Sequence, residues 1–285
     1  MDMELRHLRC LVAIVETGSF TDAAIELGVS QAAVSRTLLS LEEILGVRLL
    51  HRTSRSVAPT TAGVRVLARA RRLLAEADDL IAEATTGHTR LRIGHAWSAM
   101  GRHTAEFQRR WAVLHPGIEL RLIRTNSATG GLAEGLCDLA VARAVFDERR
   151  FASAVVGRER RYCALAADDP WAKRRSLGLD DVRERTILVD RRTGTTTAGL
   201  WPEGPRPTVE YTQDIDDWLA LIATGRSIGI TPQSTVSQYR RHGIVFRPLR
   251  DAPPIAVRLI WPRHEPHPAT DAAVTLLTEL YRPPR

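Results

Sequence analysis

The sequence predicts an α/β protein with two parts of different texture. Residues 1–87 carry apolar residues at helical spacing and a single proline, Pro59, which is typical of a mainly helical segment. From Thr89 onward, short apolar runs of strand type alternate with helical stretches, and this alternation favours parallel α/β sheets without settling whether there is one sheet or two. A chain of 285 residues is long enough for about two domains.

Composition excludes several classes of protein. The longest apolar run near the N-terminus, Leu11 to Val15, is too short to cross a membrane, and the first residues lack the basic-then-apolar order of a secretory signal. Cys10, Cys137 and Cys163 are odd in number and widely spaced, so they favour neither a disulfide framework nor a zinc site. We therefore expect a cytoplasmic protein that needs no metal or other cofactor.

The N-terminal segment predicts three short helices. Apolar residues recur at every third or fourth position, and Gly18, Gly28 and Gly46 end the three periodic stretches. Ser19 and Ser30 suit the N-caps of the second and third helices. The turn between these two helices is so short that they must cross sharply. The pattern is that of a helix-turn-helix.

A β-hairpin wing and a long helix are predicted next. Two short β-prone pieces flank a polar tip that carries Arg52 and Arg55. Thr60 or Thr61 begins a helix that extends to about Thr86. Its apolar positions alternate by three and four residues, and they are Leu67, Ala70, Leu74, Ala77, Ile81 and Ala84. A stripe of this kind needs a partner, and the simplest partner is a second copy, so we expect a homodimer.

The start of the third helix carries side chains that suit DNA. Gln31, Ser35 and Arg36 lie on the outward face of that helix, which begins at Ser30. Glutamine can pair with adenine, arginine with guanine, and serine with a phosphate. The wing arginines suit the DNA backbone or a narrow minor groove. The segment therefore predicts a DNA-binding domain, and the alternative is a helical bundle with a solvated polar face.

Charge supports this interpretation by its location rather than by its total. The chain has a net charge of +7, yet residues 1–87 hold ten arginines and eleven acidic residues, a net charge of −1. Within them, residues 36–72 hold eight arginines and two glutamates, a net charge of +6. Residues 88–285 carry the surplus of +8, which is compatible with an anionic ligand.

The N-terminal motifs resemble those of LysR-type transcriptional regulators. They are Phe20-Thr21-Asp22-Ala23-Ala24, Ser30-Gln31, Ala33-Val34-Ser35, Leu45-Gly46-Val47, Arg52 and Thr60-Thr61-Ala62-Gly63. The stretches 135–141 and 225–232 resemble landmarks of the same family. The resemblance implies a winged helix-turn-helix that binds promoter DNA, a linker helix, and a two-lobed α/β effector domain similar to periplasmic binding proteins. It also implies a homodimer or homotetramer.

Domain boundaries follow from this resemblance. The expected parts are a DNA-binding domain at 1–60, a linker and dimerisation helix at 61–87, and an effector domain at 88–285. Within the effector domain, we expect lobe I at about 89–162 plus 263–285, and lobe II at about 163–262. We expect Gly87 and His88 to form the linker between the long helix and the effector domain.

The family binds its small-molecule effector between the two lobes, which places candidate contacts at strand ends and helix starts. In this chain those positions are Trp97, Ser98, Thr125, Asn126, Ser127, Arg143, Thr195, Thr196 and Thr197. Arg143 and the hydroxyl groups suit a small carboxylate. Each position also has an ordinary alternative as a helix cap, a core residue or a member of a surface ion pair.

A second class of function remains open from the sequence. The α/β part could be a small-molecule-binding protein or an enzyme, with the N-terminal helices used for assembly. No Ser–His–Asp or paired-carboxylate pattern stands out in the sequence, but such sites are assembled in space, so sequence does not exclude one. We expect a regulator that is not an enzyme. Cys137 and Cys163 lie beside apolar strand residues, and this context favours buried inert thiols over redox sensors.

Overall fold

The computed structural model describes residues 3–52, 57–86 and 89–282. The chain divides into two compact units, Met1–Arg90 with Ala133–Leu136, and Leu91–Leu132 with Cys137–Arg285. None of the helices among the described residues is both long and apolar enough to cross a membrane.

The first unit contains the predicted helix-turn-helix and wing. Its elements are α1 (Leu5–Thr17), α2 (Phe20–Leu27), α3 (Gln31–Leu45), β1 (Leu50–Arg52), β2 (Val57–Pro59) and α4 (Thr61–Thr86). The hydroxyl oxygens of Ser19 and Ser30 accept hydrogen bonds from backbone N–H groups of the helices they precede. Gly18, Gly28 and Gly46 end α1, α2 and α3 in the left-handed conformation that glycine adopts without strain. The predicted helices and caps are confirmed.

A buried carboxylate attaches the wing to α3. Glu42 is 5% exposed, and its Oε1 accepts hydrogen bonds from the backbone N–H groups of Leu49 (2.7 Å) and Leu50 (3.4 Å). The Thr60 hydroxyl donates to the carbonyl of Arg48 and accepts from the N–H of Gly63 at the start of α4. These side chains therefore fix the start of the wing against α3 and the end of the wing against α4.

The second unit is built from alternating strands and helices. Its helices are α5 (Thr104–Leu114), α6 (Leu179–Arg183), α7 (Ile215–Ile222), α8 (Gln233–Gln238) and α9 (Thr270–Tyr281). Its strands are β3 (Thr89–His95), β4 (Ile118–Arg124), β5 (Leu139–Ala142), β6 (Phe151–Glu159), β7 (Arg161–Ala166), β8 (Ile187–Asp190), β9 (Val209–Thr212), β10 (Ile228–Pro232), β11 (Ile244–Pro248) and β12 (Ile255–Pro262).

These strands form two five-stranded sheets in the described part of the chain, one in each lobe. The sheet of lobe I has the order β4-β3-β5-β12-β6, and the sheet of lobe II has the order β11-β7-β10-β8-β9. The pairs β3–β5, β8–β10 and β8–β9 are parallel, as the strand–helix alternation predicts. The pairs β7–β10, β7–β11, β5–β12 and β6–β12 are antiparallel, so each sheet is mixed rather than parallel throughout.

The chain crosses from lobe I to lobe II between β6 and β7 and returns between β11 and β12. The return strand β12 pairs with both β5 and β6, so it belongs to lobe I. The expected boundary of lobe II at 262 therefore differs from the topology, which ends lobe II before Ile255. The sequence of β12 does not indicate which of the two sheets it joins, because β5 and β6, its pairing partners, are distant in the chain.

Two further differences concern local structure. The sequence of Gly130 to Leu136 predicts a short helix, but in the structure this segment is a series of turns. Its glycines, Gly130, Gly131 and Gly135, all have positive φ and cannot continue a right-handed helix. Strand β6 was not predicted, because its sequence of small residues with Gly157 gives little strand pattern. Strand β6 matters for the site, since it ends at Glu159.

Candidate DNA-recognition helix and effector cleft

Helix α3 presents a polar outer face beside its buried one. Val34, Leu38 and Leu41 are buried in the core of the first unit, whereas Gln31 and Arg36 are exposed. Arg36 makes no ion pair with any residue that the structure describes. Its guanidinium group and the Gln31 amide are therefore free to meet an external partner such as the edges of DNA bases.

The other predicted DNA contacts have different surroundings. Ser35 is half-buried on α3, and the Ser30 hydroxyl oxygen accepts a hydrogen bond from the N–H of Ala33 while its own hydrogen stays available. Arg52 ends β1 and pairs in register with Val57 across the wing. Arg55, at the predicted wing tip, lies outside the described residues.

Helix α4 continues well past the core of the first unit. Leu67 and Ala70, near its start, are buried in that core. Farther along, Leu73, Leu80 and Ile81 are exposed, with Ile81 exposing 58% of its surface. Apolar side chains at this spacing on an exposed helix form a surface that a partner helix can cover.

A cleft of about 580 Å³ lies between the two lobes of the second unit. Its walls come from the carboxyl ends of parallel strands, where open α/β sheets hold their ligands. The lobe I wall includes Ala96, Trp97, Ser98, Ala128, Val141, Arg143 and Ala144. The lobe II wall includes Leu188, Val189, Asp190, Thr193, Gly194, Thr195, Thr196, Trp218, Ile230, Thr231, Pro232 and Thr235. The lining combines apolar side chains with a few polar groups, as small-molecule sites do.

The structure brings five of the nine predicted effector residues to this cleft. They are Trp97, Ser98, Arg143, Thr195 and Thr196. The Thr196 hydroxyl donates to the carbonyl of Ile230, which ties its loop to β10. Trp97 and Ser98 follow β3, Arg143 follows β5, and Thr195 and Thr196 lie in the segment after β8.

The other four predicted effector residues do not line the cleft. Asn126 donates a hydrogen bond to the carbonyl of Gln213 in the opposite lobe, and Thr125 has a buried hydroxyl next to it. The hydroxyl groups of Ser127 and Thr129 hydrogen bond to each other. Thr197 is exposed. None of these four residues is part of the cleft lining.

Arg143 belongs to a buried ion pair. Its Nη2 and Nε lie 2.8 and 3.2 Å from the two carboxylate oxygens of Glu159, and the two side chains are 9% and 6% exposed. Burial by itself would raise the pKa of Glu159, but Arg143, with hydrogen bonds from Tyr281 and Ser234, outweighs burial and lowers this pKa. The charge of Arg143 is thus already balanced, which removes the basis for expecting that it anchors a carboxylate by charge alone.

The same carboxylate joins the two lobes. Ser234, at the start of α8 in lobe II, donates to Glu159 from its hydroxyl (2.7 Å) and its backbone N–H (3.2 Å). Ser98 of lobe I donates in turn to the Ser234 hydroxyl at 3.0 Å. The Tyr239 hydroxyl of lobe II donates to the carbonyl of Trp97 at 2.7 Å. These hydrogen bonds therefore connect the two lobes beside the cleft.

Sequence reasoning missed three important residues of the cleft. Asp190 and Thr231 lie at the carboxyl ends of β8 and β10, and Trp218 of α7 packs against Trp97 with ring centroids 5.5 Å apart. Asp190 directly follows the apolar run Ile187-Leu188-Val189, which is of strand type, so the rule that selects Trp97 after its strand also selects Asp190. Trp218 had no such signal, because its contact with Trp97 depends on the packing of the two lobes.

The cysteines are all buried. Burial raises the pKa of the Cys10 thiol to about 11 and also raises that of Cys163. The Cys137 sulfur lies 3.6 Å from the carbonyl oxygen of Gly130. Since the thiolate is the reactive form, this environment disfavours reaction at these positions.

An exposed polar helix with a wing, in one chain with a two-lobed cleft, is typical of a ligand-responsive DNA-binding regulator. Residues 5–64 match the family described as bacterial regulatory helix-turn-helix protein, lysR family, and residues 84–282 match the LysR substrate binding domain. The chain therefore belongs to the LysR family of transcriptional regulators, which bind promoter DNA and small-molecule effectors and form oligomers.

Individual relatives agree with this assignment. The small neutral protease regulatory protein of Streptomyces coelicolor is 32% identical over 297 aligned positions, which cover 97% of this chain and 92% of that protein. The regulator BenM of Acinetobacter baylyi is 28% identical over 253 positions, or 82% of each chain. Among solved structures, the LysR family regulator CbnR has a TM-score of 0.74 at 24% identity and covers 99% of this chain and 100% of its own. At 24% identity, the match with CbnR shows that the two proteins share a fold.

Proposed function

We propose that α3 reads the DNA sequence through Gln31, Ser35 and Arg36, while Ser30, Arg52 and Arg55 hold the DNA backbone or the minor groove. The observation that carries this proposal is the exposed Arg36, which has no ion pair with the described residues on a helix whose opposite face is fixed in the core. An arginine at the start of a recognition helix can bind guanine through two hydrogen bonds. CbnR, which shares the fold, has been solved in complex with its target DNA.

A footprint on DNA tests this proposal. The full chain is titrated against the intergenic region beside its own gene and against an unrelated duplex of equal length. We expect a protected site on the first duplex with two related half-sites, because a symmetric dimer reads a symmetric sequence. Equal affinity for both duplexes would contradict sequence-specific regulation.

The dimer in this proposal uses α4. Its exposed residues Leu73, Leu80 and Ile81 would be covered by the same helix of a second copy. We expect Ile81→Asp to shift the chain from dimer to monomer in sedimentation, because a buried unpaired carboxylate opposes the contact. Asp78→Asn, on the same helix, is the matched control for a charge change. An unchanged dimer in Ile81→Asp would place the interface elsewhere.

The cleft supplies the regulation in this proposal. An effector that binds both walls favours the closed arrangement of the lobes, and closure changes how the subunits of the oligomer sit on DNA. The chain acts as a regulator and not as an enzyme, and a role on chromosomal DNA places it in the cytoplasm. The names of relatives such as BenM, an HTH-type transcriptional regulator, support this proposal.

A further inference from the structure

The effector cleft has polar atoms without partners on both walls. On the lobe I wall, Trp97 Nε1 is buried without a hydrogen-bond partner in the described part of the chain. Arg143 uses Nε and Nη2 for its contacts, and its Nη1 makes no hydrogen bond to the described residues. On the lobe II wall, Asp190 Oδ2 and Thr231 Oγ1 are buried and equally without partners there. Buried polar atoms in folded proteins almost always have partners.

The two walls differ in the kind of partner that they need. The indole N–H of Trp97 and the guanidinium N–H groups of Arg143 can only donate hydrogen bonds. The carboxylate of Asp190 can only accept them, and the hydroxyl of Thr231 can do both. A ligand that satisfies both walls therefore carries an acceptor at its lobe I end and a donor at its lobe II end.

Asp190 favours a charged donor. Its side chain belongs to a residue that is 2% exposed, and its Oδ1 is already occupied by the N–H of Arg192 at 3.0 Å and by the N–H and hydroxyl of Thr193. Asp190 makes no ion pair with the residues that the structure describes. Hydrogen bonds between a carboxylate and a cationic donor are the strongest that either group makes, so an ammonium group suits Oδ2 best.

The lobe I end favours a carboxylate or carbonyl oxygen. Glu159 balances the charge of Arg143 but leaves Nη1, and Trp97 Nε1 offers a second N–H on the same wall. Arg161 is also buried nearby, but it donates to the carbonyls of Thr195 and Pro253 and is not part of the cleft lining. Two N–H groups on one wall can share the two oxygens of a carboxylate.

The remaining surface of the cleft is apolar. Val141, Leu188 and Ile230 line it, together with the rings of Trp97 and Trp218. We propose that the effector is an amino acid with an apolar side chain, whose ammonium group binds Asp190 and Thr231 and whose carboxylate binds Trp97 and Arg143. This inference rests on the proposed function, because it names the ligand class of the effector cleft. Since the two ends bind opposite lobes, the ligand would hold the lobes together.

Thermal unfolding of the full chain tests the inference. L-valine, L-leucine, L-isoleucine and L-phenylalanine are added separately, and the best binder is compared with its one-sided analogues. For L-phenylalanine these are phenethylamine, which lacks the carboxylate, and 3-phenylpropionate, which lacks the amine. We expect at least one amino acid to raise Tm by about 5 °C at roughly 100 times its Kd, and each one-sided analogue to raise Tm less.

Two variants locate the ammonium end. Asp190→Asn keeps an oxygen for the Thr193 contacts but removes the charge, and Thr231→Val removes one acceptor and keeps the shape. We expect at least a tenfold loss of amino-acid affinity in Asp190→Asn and a smaller loss in Thr231→Val. If Asp190→Asn does not fold, Thr231→Val still tests the ammonium end of the site. Asp168→Asn, an exposed residue of the same lobe, should bind as the unsubstituted chain does.

Three results would overturn the inference: no rise in Tm with any of the four amino acids, an equal rise with 3-phenylpropionate, or unchanged affinity in Asp190→Asn. DNA binding is measured on the same preparations. Sequence-specific DNA binding without a response to amino acids would reject the ligand class and leave the proposed function standing. An amino-acid response without sequence-specific DNA binding would reject the proposed function and leave the ligand class standing.

Discussion

Arg36 on α3 and Arg143 after β5 have opposite surroundings, although both were expected to bind anionic groups. Arg36 is exposed and unpaired among the described residues. Arg143 is buried, and its charge is balanced by Glu159 through two close contacts. The difference shows that an arginine attracts an anionic partner by charge alone only where the fold leaves its charge uncompensated, whereas Arg143 can offer a partner only the hydrogen-bond donors that Glu159 leaves. Variants that change one of these two regions and leave the other intact test the two roles independently.

The largest effect is expected at the ion pair. Glu159→Ala leaves Arg143 buried without its partner and also removes the acceptor of Ser234 and Tyr281. We expect a loss of about 3–5 kcal/mol in the free energy of unfolding of the effector domain. Urea denaturation followed by tryptophan fluorescence measures it.

Glu279→Ala is the matched control, because Glu279 pairs with Arg110 at the surface and both side chains are about two-fifths exposed. We expect a change of less than about 1 kcal/mol there. Similar losses in both variants would show that the Arg143 pair does not differ from a surface pair.

The next effect concerns the first unit. A Cβ atom at Gly63 would overlap the carbonyl oxygen of Leu49, so Gly63→Ala forces α4 away from the wing. We expect a loss of about 1–3 kcal/mol in stability, with weaker DNA binding and an unchanged effector cleft. Thermal unfolding and DNA titration measure the two properties.

Gly117→Ala is the control for this substitution, since a Cβ at Gly117 meets nothing within 4 Å. It should leave the DNA affinity unchanged. Full DNA affinity and stability in Gly63→Ala would mean that the contact between α4 and the wing is not required.

A smaller, pH-dependent effect is expected at His95, which ends β3 beside the cleft. Burial lowers the pKa of His95 to about 4, from an ordinary value of 6.5. Between these values the unfolded chain binds a proton that the native chain does not. His95 therefore lowers the stability of the native state as the pH falls from 6.5 towards 4, and has no such effect above that range.

His95→Asn should make stability less sensitive to acid across this range, as measured by urea midpoints at several pH values. Acidic groups titrate in both proteins, so their contribution cancels in the comparison. His242→Asn, at an exposed position, should keep the original pH dependence. An identical pH dependence in His95→Asn would show that His95 is not held neutral.

The first unit could be predicted closely from sequence because its signals are local. Ser19 and Ser30 lie directly before the helices that they cap, and each glycine stop follows its helix. The effector cleft is different. The partner of Arg143 lies sixteen positions away on a strand with little sequence pattern, and Trp97 meets Trp218 across more than a hundred residues. Strand ends could be predicted, but which of them meet depends on pairings that sequence spacing does not specify.

The most direct test of the account compares two arginines of the first unit in DNA binding. Arg36→Ala and Arg9→Ala each remove one exposed charge, on α3 and on α1. Fluorescence anisotropy gives the affinity of the full chain for its intergenic site and for a scrambled duplex. We predict that Arg36→Ala loses about 1–3 kcal/mol of the preference for the intergenic site, whereas Arg9→Ala keeps that preference. An unchanged preference in Arg36→Ala would contradict the assignment of α3 as the helix that reads DNA.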